Sequence, residues 1–177
     1  MSKDEIQTRL NLEKSAILAE IDAAFANVDR KGGVSWSQAE VVDGYGSEEE
    51  QAKARAKDKE THWRQLVDDP KWETDLGTGG FSFLDPIGMR YYLPPAMIRC
   101  VRLGYDVGIQ FQLTIPAKAN SFRDWNINRF RLLNDEQLKC VARFLTYMAE
   151  FEHHEQQSSE AEQWQIALDR YWSQYLQ

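Results

Sequence analysis

Apolar residues recur at intervals of three, four and seven in the N-terminal segment of the chain. The stripe that these intervals define, as the buried face of an amphipathic helix requires, consists of Ile6, Leu10, Ile17, Ile21, Phe25 and Val28. Shorter runs of apolar residues at helical spacing predict four more helices, at about 36–43, 48–67, 135–152 and 160–176.

Several of these helices begin with a recognisable capping pattern. Ser or Asn is followed three residues later by Glu or Gln, so the two side chains can bond the free amides of the first turn. The predicted N-terminal residues of these patterns are Ser2, Ser35, Ser47, Asn134 and Ser159.

A different pattern occupies residues 81–93. Large apolar side chains alternate with their neighbours over 81–84 and again over 89–93, which is typical of strands. Between these runs, Asp85, Pro86 and Gly88 suit a type I turn with Gly88 at positive φ. We therefore predict a β-hairpin over 81–93.

The segments on either side of the hairpin complete the predicted fold. Pro94 and Pro95 stop strand pairing and suit the start of a helix that ends at Gly104. The remaining predictions are a loop over 75–80, a third short strand over 107–113 and a long irregular loop over 116–128.

These elements predict one globular domain over residues 1–177. Its class is α+β and mainly helical, with five or six helices around a small antiparallel sheet. The core is expected to contain Phe81, Phe83, Tyr91, Leu93, Trp63 and Leu145.

The same central stretch resembles a signature of a bacterial family catalogued only as a domain of unknown function. The matching positions are Phe83, Leu84, Asp85, Pro86, Gly88, Arg90, Tyr92, Leu93, Pro94 and Met97, within a pattern FSFLDPxGxRxYLPxxM. The similarity extends from about residue 17 to about residue 148, and Met89 and Ala96 depart from the usual pattern. The resemblance implies a fold and a bacterial origin, and it brings no activity with it.

Composition indicates a cytoplasmic protein. Charged residues make up 28% of the chain, and no run approaches the roughly 18 apolar residues of a membrane span. The polar start of the chain lacks the apolar core of a signal peptide. Cys100 and Cys140 both lie in apolar helical patterns, so we expect two reduced thiols in the core.

The net charge of −7 is unevenly spread. Residues 80–131 contain seven Arg or Lys and three Asp or Glu, which gives +4 between acidic flanks. This basic segment can pair with the acidic helices around it, or it can bind nucleic acid through residues 90–131. A pI near 5.0 and acidic flanks disfavour nucleic acid.

No catalytic or metal-binding motif emerges from the sequence. Glu150 and His153 form a single Glu-x-x-His, whereas carboxylate di-iron bundles need this motif twice. Zinc motifs, a nucleophile elbow and a phosphate-binding glycine loop are absent from the sequence. We therefore expect neither a metal nor a cofactor. An enzyme built from scattered residues stays an alternative, with Asp58, Arg90 and Tyr92 as its candidates.

The leading hypothesis is a non-enzymatic protein-interaction module of the immunity or adaptor type. Its candidate binding residues are Phe122, Arg123, Trp125, Arg129 and Arg131, the residue types that dominate interface hot spots. The arginines are expected to steer the chain toward an acidic protein surface. The identity of the partner and the oligomeric state stay open.

Overall fold

The structure is a computed structural model that describes residues 2–74, 80–155 and 158–177. Every regular element in these ranges is helical, so the predicted α+β class with an antiparallel sheet is wrong. The α-helices are α1 Lys3–Ala24, α2 Trp36–Asp43, α3 Glu48–Arg55, α4 Arg64–Val67, α5 Pro86–Leu103, α6 Gln110–Leu113, α7 Ser121–Asn128, α8 Asp135–His154 and α9 Ser158–Arg170. Short 3₁₀ helices span Gly80–Phe83 and Trp172–Tyr175.

Local capping residues start the long helices as predicted. The Asn134 side chain accepts from the Gln137 amide at 2.9 Å, and the Gln137 side chain accepts from the Asn134 amide at 3.2 Å. The boxes at Ser2 and Ser47 also form, which confirms those helix starts. Helix α9 begins at Ser158, so Ser159 lies inside its first turn and does not cap it.

The predicted β-hairpin over 81–93 is wrong because its turn residues cap a helix. The Asp85 carboxylate accepts from the Gly88 amide at 2.8 Å and from the Val34 amide at 2.9 Å. Pro86 then occupies the first position of α5, where its missing N–H costs nothing. An Asp-Pro pair suits a type I turn and a helix start equally well, so local sequence does not separate the two.

Helix α5 continues through Pro94 and Pro95, so the predicted helix start at these prolines is wrong. Between residues 88 and 98 only Arg90 is not fully buried, and burial on all sides offsets the helix-breaking cost of proline. The predicted end is confirmed, because Gly104 has φ +78° and its amide bonds to the Cys100 carbonyl at 2.8 Å.

The predicted positive φ at Gly88 is wrong. Gly88 lies in the first turn of α5 and has an ordinary negative φ there. A Cβ atom there would lie 2.5 Å from the carbonyl oxygen of Val34. The position therefore needs glycine for close backbone approach.

Three other predicted elements also differ from the structure. The segment 107–113 contains α6 and not a strand, and the predicted helix over 48–67 is two helices, α3 and α4. The predicted loop over 116–128 contains α7, whose cap Asn120 accepts from the Arg123 amide at 3.0 Å. The predicted loop over 75–80 lies outside the described residues except for Gly80.

One continuous apolar core runs from Leu10 to Trp172. Helix α8 contacts α1, α5 and α9, and α5 also contacts α1 and α4. Five of the six predicted core residues are buried as expected: Trp63, Phe81, Tyr91, Leu93 and Leu145. Phe83 is 37% exposed, so its predicted core position is wrong; a 3₁₀ turn does not place alternate residues on one face as a strand does.

Cys100 and Cys140 are both buried free thiols. Burial raises the pKa of both, to about 12 for Cys140, which keeps them protonated and unreactive. No helix in the described part of the chain is long and apolar enough to cross a membrane.

Candidate functional site

Two of the three enzyme candidates, Asp58 and Tyr92, meet in one buried polar network. The Tyr92 hydroxyl donates to the Glu60 carboxylate at 2.9 Å and accepts from the Trp36 amide at 2.9 Å. Arg30 lies 3.5 Å from Glu60 and 3.7 Å from Asp58. We call Arg30, Asp58, Glu60 and Tyr92 the closed network.

Asp58 serves as a cap for α2 within this network. Its two carboxylate oxygens accept from the Ser37 amide at 2.9 Å and from the Ser37 hydroxyl at 2.6 Å. The side chains of Arg30, Asp58 and Glu60 are only 9–14% exposed. The network therefore fastens the segment after α3 to the start of α2 and to the middle of α5.

The closed network has the properties of a structural cross-link. Burial raises the pKa of Tyr92, and the Glu60 carboxylate raises it further, so the phenol stays protonated. Both carboxylates already accept hydrogen bonds and face Arg30, which leaves neither poised to take a proton from a substrate. Arg90 lies apart from this group and donates to the Gln137 side chain at 3.1 Å.

The second group of candidates lies on α7. The rings of Phe122 and Trp125 stack 6.1 Å apart with an interplanar angle of 10°. These side chains are 57% and 46% exposed, although both are large and apolar. We call Phe122 and Trp125 the aromatic face.

Arg129 lies beneath this face and is only 4% exposed. Its guanidinium is 4.8 Å from the centre of the Trp125 ring. The guanidinium donates to neutral acceptors only: the Phe81 carbonyl at 3.2 Å, the Gln112 carbonyl at 3.2 Å, the Gln112 side chain at 2.8 Å and the Asn126 side chain at 3.0 Å.

The charge of Arg129 is therefore unbalanced. Its Nε atom is buried and has no hydrogen-bond partner among the described residues. Burial lowers the pKa of Arg129 to about 10, which still leaves it protonated at neutral pH. The sequence predicted an exposed cation here, and the structure places it in the interior as a link between α6, α7 and the 3₁₀ helix Gly80–Phe83.

The other two predicted arginines differ from each other. Arg123 is half-buried and donates to the carbonyls of Pro116 and Arg170. Arg131 is exposed, and its side chain has no hydrogen bond or ion pair with a described residue. It lines a groove of about 390 Å³ on the other side of α7, together with Asp124, Ile127, Asn128, Phe130, Leu133, Leu138, Tyr171 and Tyr175.

The rest of the basic segment is engaged inside the molecule. Arg99 donates to backbone carbonyls at the end of α4 and just after it, including that of Val67 at 3.0 Å, and Arg102 pairs with Asp68 at 2.8 Å. These cations therefore do not add to a continuous basic surface with Arg131. Within residues 2–74, 80–155 and 158–177, no cluster of three or more His, Cys, Asp or Glu is arranged to hold a metal ion.

Sequence reasoning missed Arg30 and Glu60 as functional partners of Asp58 and Tyr92. Asp58 and Glu60 are two residues apart, but Arg30 and Tyr92 are far from them along the chain, and no spacing rule links the four. The local signal is the density of charged residues between α3 and α4, and such a density is equally typical of a solvent-exposed loop.

A search of curated proteins and a search of solved structures gave no match to this chain. A family model matches residues 13–176, nearly the whole chain. The chain therefore belongs to DUF6714, a family of unknown function.

Proposed function

We propose that this protein is a non-enzymatic interaction module that binds a partner protein through the aromatic face. The observation that carries the proposal is the exposed stack of Phe122 and Trp125 on α7, with rings 6.1 Å apart. Adjacent large rings in water gain free energy when a partner covers them, and Trp is the residue most enriched in interface hot spots.

The two alternatives have weaker support. The enzyme candidates Asp58 and Tyr92 are occupied by contacts within the closed network, and Arg90 lies elsewhere. A nucleic-acid surface needs several free cations in a row, whereas Arg99 and Arg102 are committed to internal carbonyls and to Asp68.

The proposal places this module, as one domain, in the bacterial cytoplasm as an immunity or adaptor protein. Its support is a core that is continuous from Leu10 to Trp172, together with two buried cysteines that are not paired.

Affinity purification from the native host tests the proposal. The bait is the tagged chain, and it is compared with the double variant Phe122→Ala, Trp125→Ala. Leu12→Ala is the matched control, because Leu12 is an apolar residue on α1 with 70% exposure. We expect the partner to be recovered with wild type and control and lost with the double variant. Recovery at unchanged affinity with the double variant would refute the proposal.

A further inference from the structure

We propose that the segment that covers the aromatic face is acidic: it places an apolar side chain on Phe122 and Trp125 and a carboxylate beside Trp125, above the charge of Arg129. This inference rests on the proposed function and names the chemistry of the partner. It follows from the charges of α7 and its C-terminal turn.

The first step concerns Arg129. The Arg129 guanidinium is 4% exposed and is hydrogen-bonded only to neutral acceptors. Because its surroundings have a low dielectric constant, its positive charge is only weakly screened. Trp125 is the exposed ring that lies over this charge. A neutral partner that covered Trp125 would exclude water from the charge beneath it and increase the cost of burial. A carboxylate brought in by the partner offsets that cost.

The second step concerns the neighbouring arginines. None of Arg123, Arg129 and Arg131 forms an ion pair with a described residue. Elsewhere in the described chain, Arg9, Arg30, Arg64, Arg102 and Arg143 each have a carboxylate partner, whereas Arg55, Arg90, Arg99 and Arg170 form no ion pair with a described residue. The cations around α7 are thus left without anions.

The one acidic group on α7 does not remove this imbalance. Asp124 is exposed and lines the groove that also contains Arg131, on the side of α7 away from Phe122 and Trp125. Asp124 and Arg131 therefore share that side, and Arg129 is the cation that lies against the aromatic face. The uncompensated charge of Arg129 fits a segment of opposite charge.

A displayed library of random peptides provides the probe. Selection uses the wild-type protein, and peptides that also bind the variant Phe122→Ala, Trp125→Ala are discarded. We expect the remaining peptides to carry Asp or Glu next to an apolar residue. Their Kd should rise about tenfold between roughly 50 mM and 500 mM NaCl, because exposed charges are screened.

Removal of the charge at Arg129 supplies the matched comparison. Arg129→Met should weaken the selected peptides about tenfold, because their carboxylate loses the charge that it faces. Arg131→Met removes the same charge on the other side of α7, and it should leave Kd within about twofold. Thermal unfolding confirms that each variant is folded, and Arg129→Gln replaces Arg129→Met if the latter is not.

The outcomes separate the inference from the proposed function. If the selected peptides are neutral or basic, or if Kd changes neither with salt nor with the charge at Arg129, the acidic partner is wrong while binding through the aromatic face stands. If no selected peptide depends on Phe122 and Trp125, both fail.

Discussion

Two arginines, the half-buried Arg30 and the buried Arg129, show how differently this fold treats a positive charge. Each guanidinium lies against an aromatic ring, Arg30 at 5.8 Å from Tyr91 and Arg129 at 4.8 Å from Trp125. Arg30 faces the carboxylates of Asp58 and Glu60, and the ring beside it is buried. Arg129 faces only neutral acceptors, and the ring beside it is exposed.

The difference separates scaffold from candidate binding surface. In the closed network the charge of Arg30 faces two carboxylates, although its Nη1 atom has no hydrogen-bond partner among the described residues. The network can therefore stabilise the fold but offers little to a ligand. Around Arg129 nearly all hydrogen bonds are made, but the positive charge has no counter-ion among the described residues. The apolar rings of Phe122 and Trp125 remain in water. A partner that covers the rings and brings a negative charge lowers the free energy of the region around Arg129. A partner that entered the closed network would instead break contacts that are already made.

The largest expected effect comes from opening the closed network. Asp58→Ala removes the acceptor of the Ser37 amide and hydroxyl and leaves Arg30 with one carboxylate fewer. We expect the free energy of unfolding to fall by about 3–5 kcal/mol, as when one partner of a buried ion pair is removed. Urea denaturation measures the change.

The control for this prediction is Lys53→Ala, which breaks an exposed pair with Glu49 on α3. Because both side chains lie in water, the denaturation midpoint should hardly move. If Asp58→Ala shifted the midpoint as little as this control, the closed network would not hold the fold together.

The next effect comes from Arg129, and it should be smaller. Arg129→Met leaves the acceptors on Phe81, Gln112 and Asn126 without a donor, but it also removes a buried charge that has no counter-ion. The two changes partly cancel, so we expect a loss of about 2 kcal/mol in the same urea experiment. Arg131→Met is the exposed control. A loss larger than that of Asp58→Ala would contradict the proposed difference between the two arginines.

Local sequence predicted the parts of the fold that local interactions decide. The capping pairs at Ser2, Ser47 and Asn134 act over three residues, so their spacing alone locates the helix starts. The end of α5 at Gly104 is of the same kind, because the left-handed conformation there favours glycine.

The hairpin error has a physical origin in the burial of α5. Where nearly every position from 88 to 98 is buried, the alternation of apolar and polar residues no longer distinguishes a helix from a strand. Pro94 and Pro95 also argue against a helix at these positions, and only the tertiary packing of α5 outweighs that local preference.

The candidate surfaces were predictable to different degrees. Phe122 and Trp125 are close together in the sequence of α7, so residue type alone identified the aromatic face. The closed network joins residues from three separate segments, and the burial of Arg129 depends on acceptors from Phe81 and Gln112. Contacts of this range follow from the fold and not from spacing.

Glu152 extends the comparison to a buried anion. It is 1% exposed; one carboxylate oxygen accepts from the Trp164 indole at 3.0 Å, and the other has no partner among the described residues. Burial raises its pKa, and the nearby carboxylates of Glu160 and Asp106 add to the rise. The folded protein therefore holds this proton more tightly than the unfolded chain does.

The stabilising contribution of Glu152 is complete below the ordinary pKa of a carboxyl group and is lost as the pH rises through its raised folded pKa. Glu152→Gln should therefore unfold like wild type near pH 4 and be more stable by about 1 kcal/mol near pH 8. Thermal unfolding across this range, with the exposed Glu162→Gln as control, checks it. A wild-type advantage at the higher pH would contradict the prediction.

The smallest effect on stability is expected at Trp125, where the effect on binding should be large. Trp125→Ala removes a ring that is 46% exposed and a cation–π contact with Arg129. The lost contact destabilises the fold, but water then reaches the buried charge and offsets much of that loss. We expect the free energy of unfolding to change by less than about 0.5 kcal/mol. Binding of the partner should nevertheless fall at least tenfold, because Trp125 is the proposed hot spot. A variant that was strongly destabilised would show that Trp125 belongs to the scaffold, as the closed network does, and the contrast between the two regions would disappear.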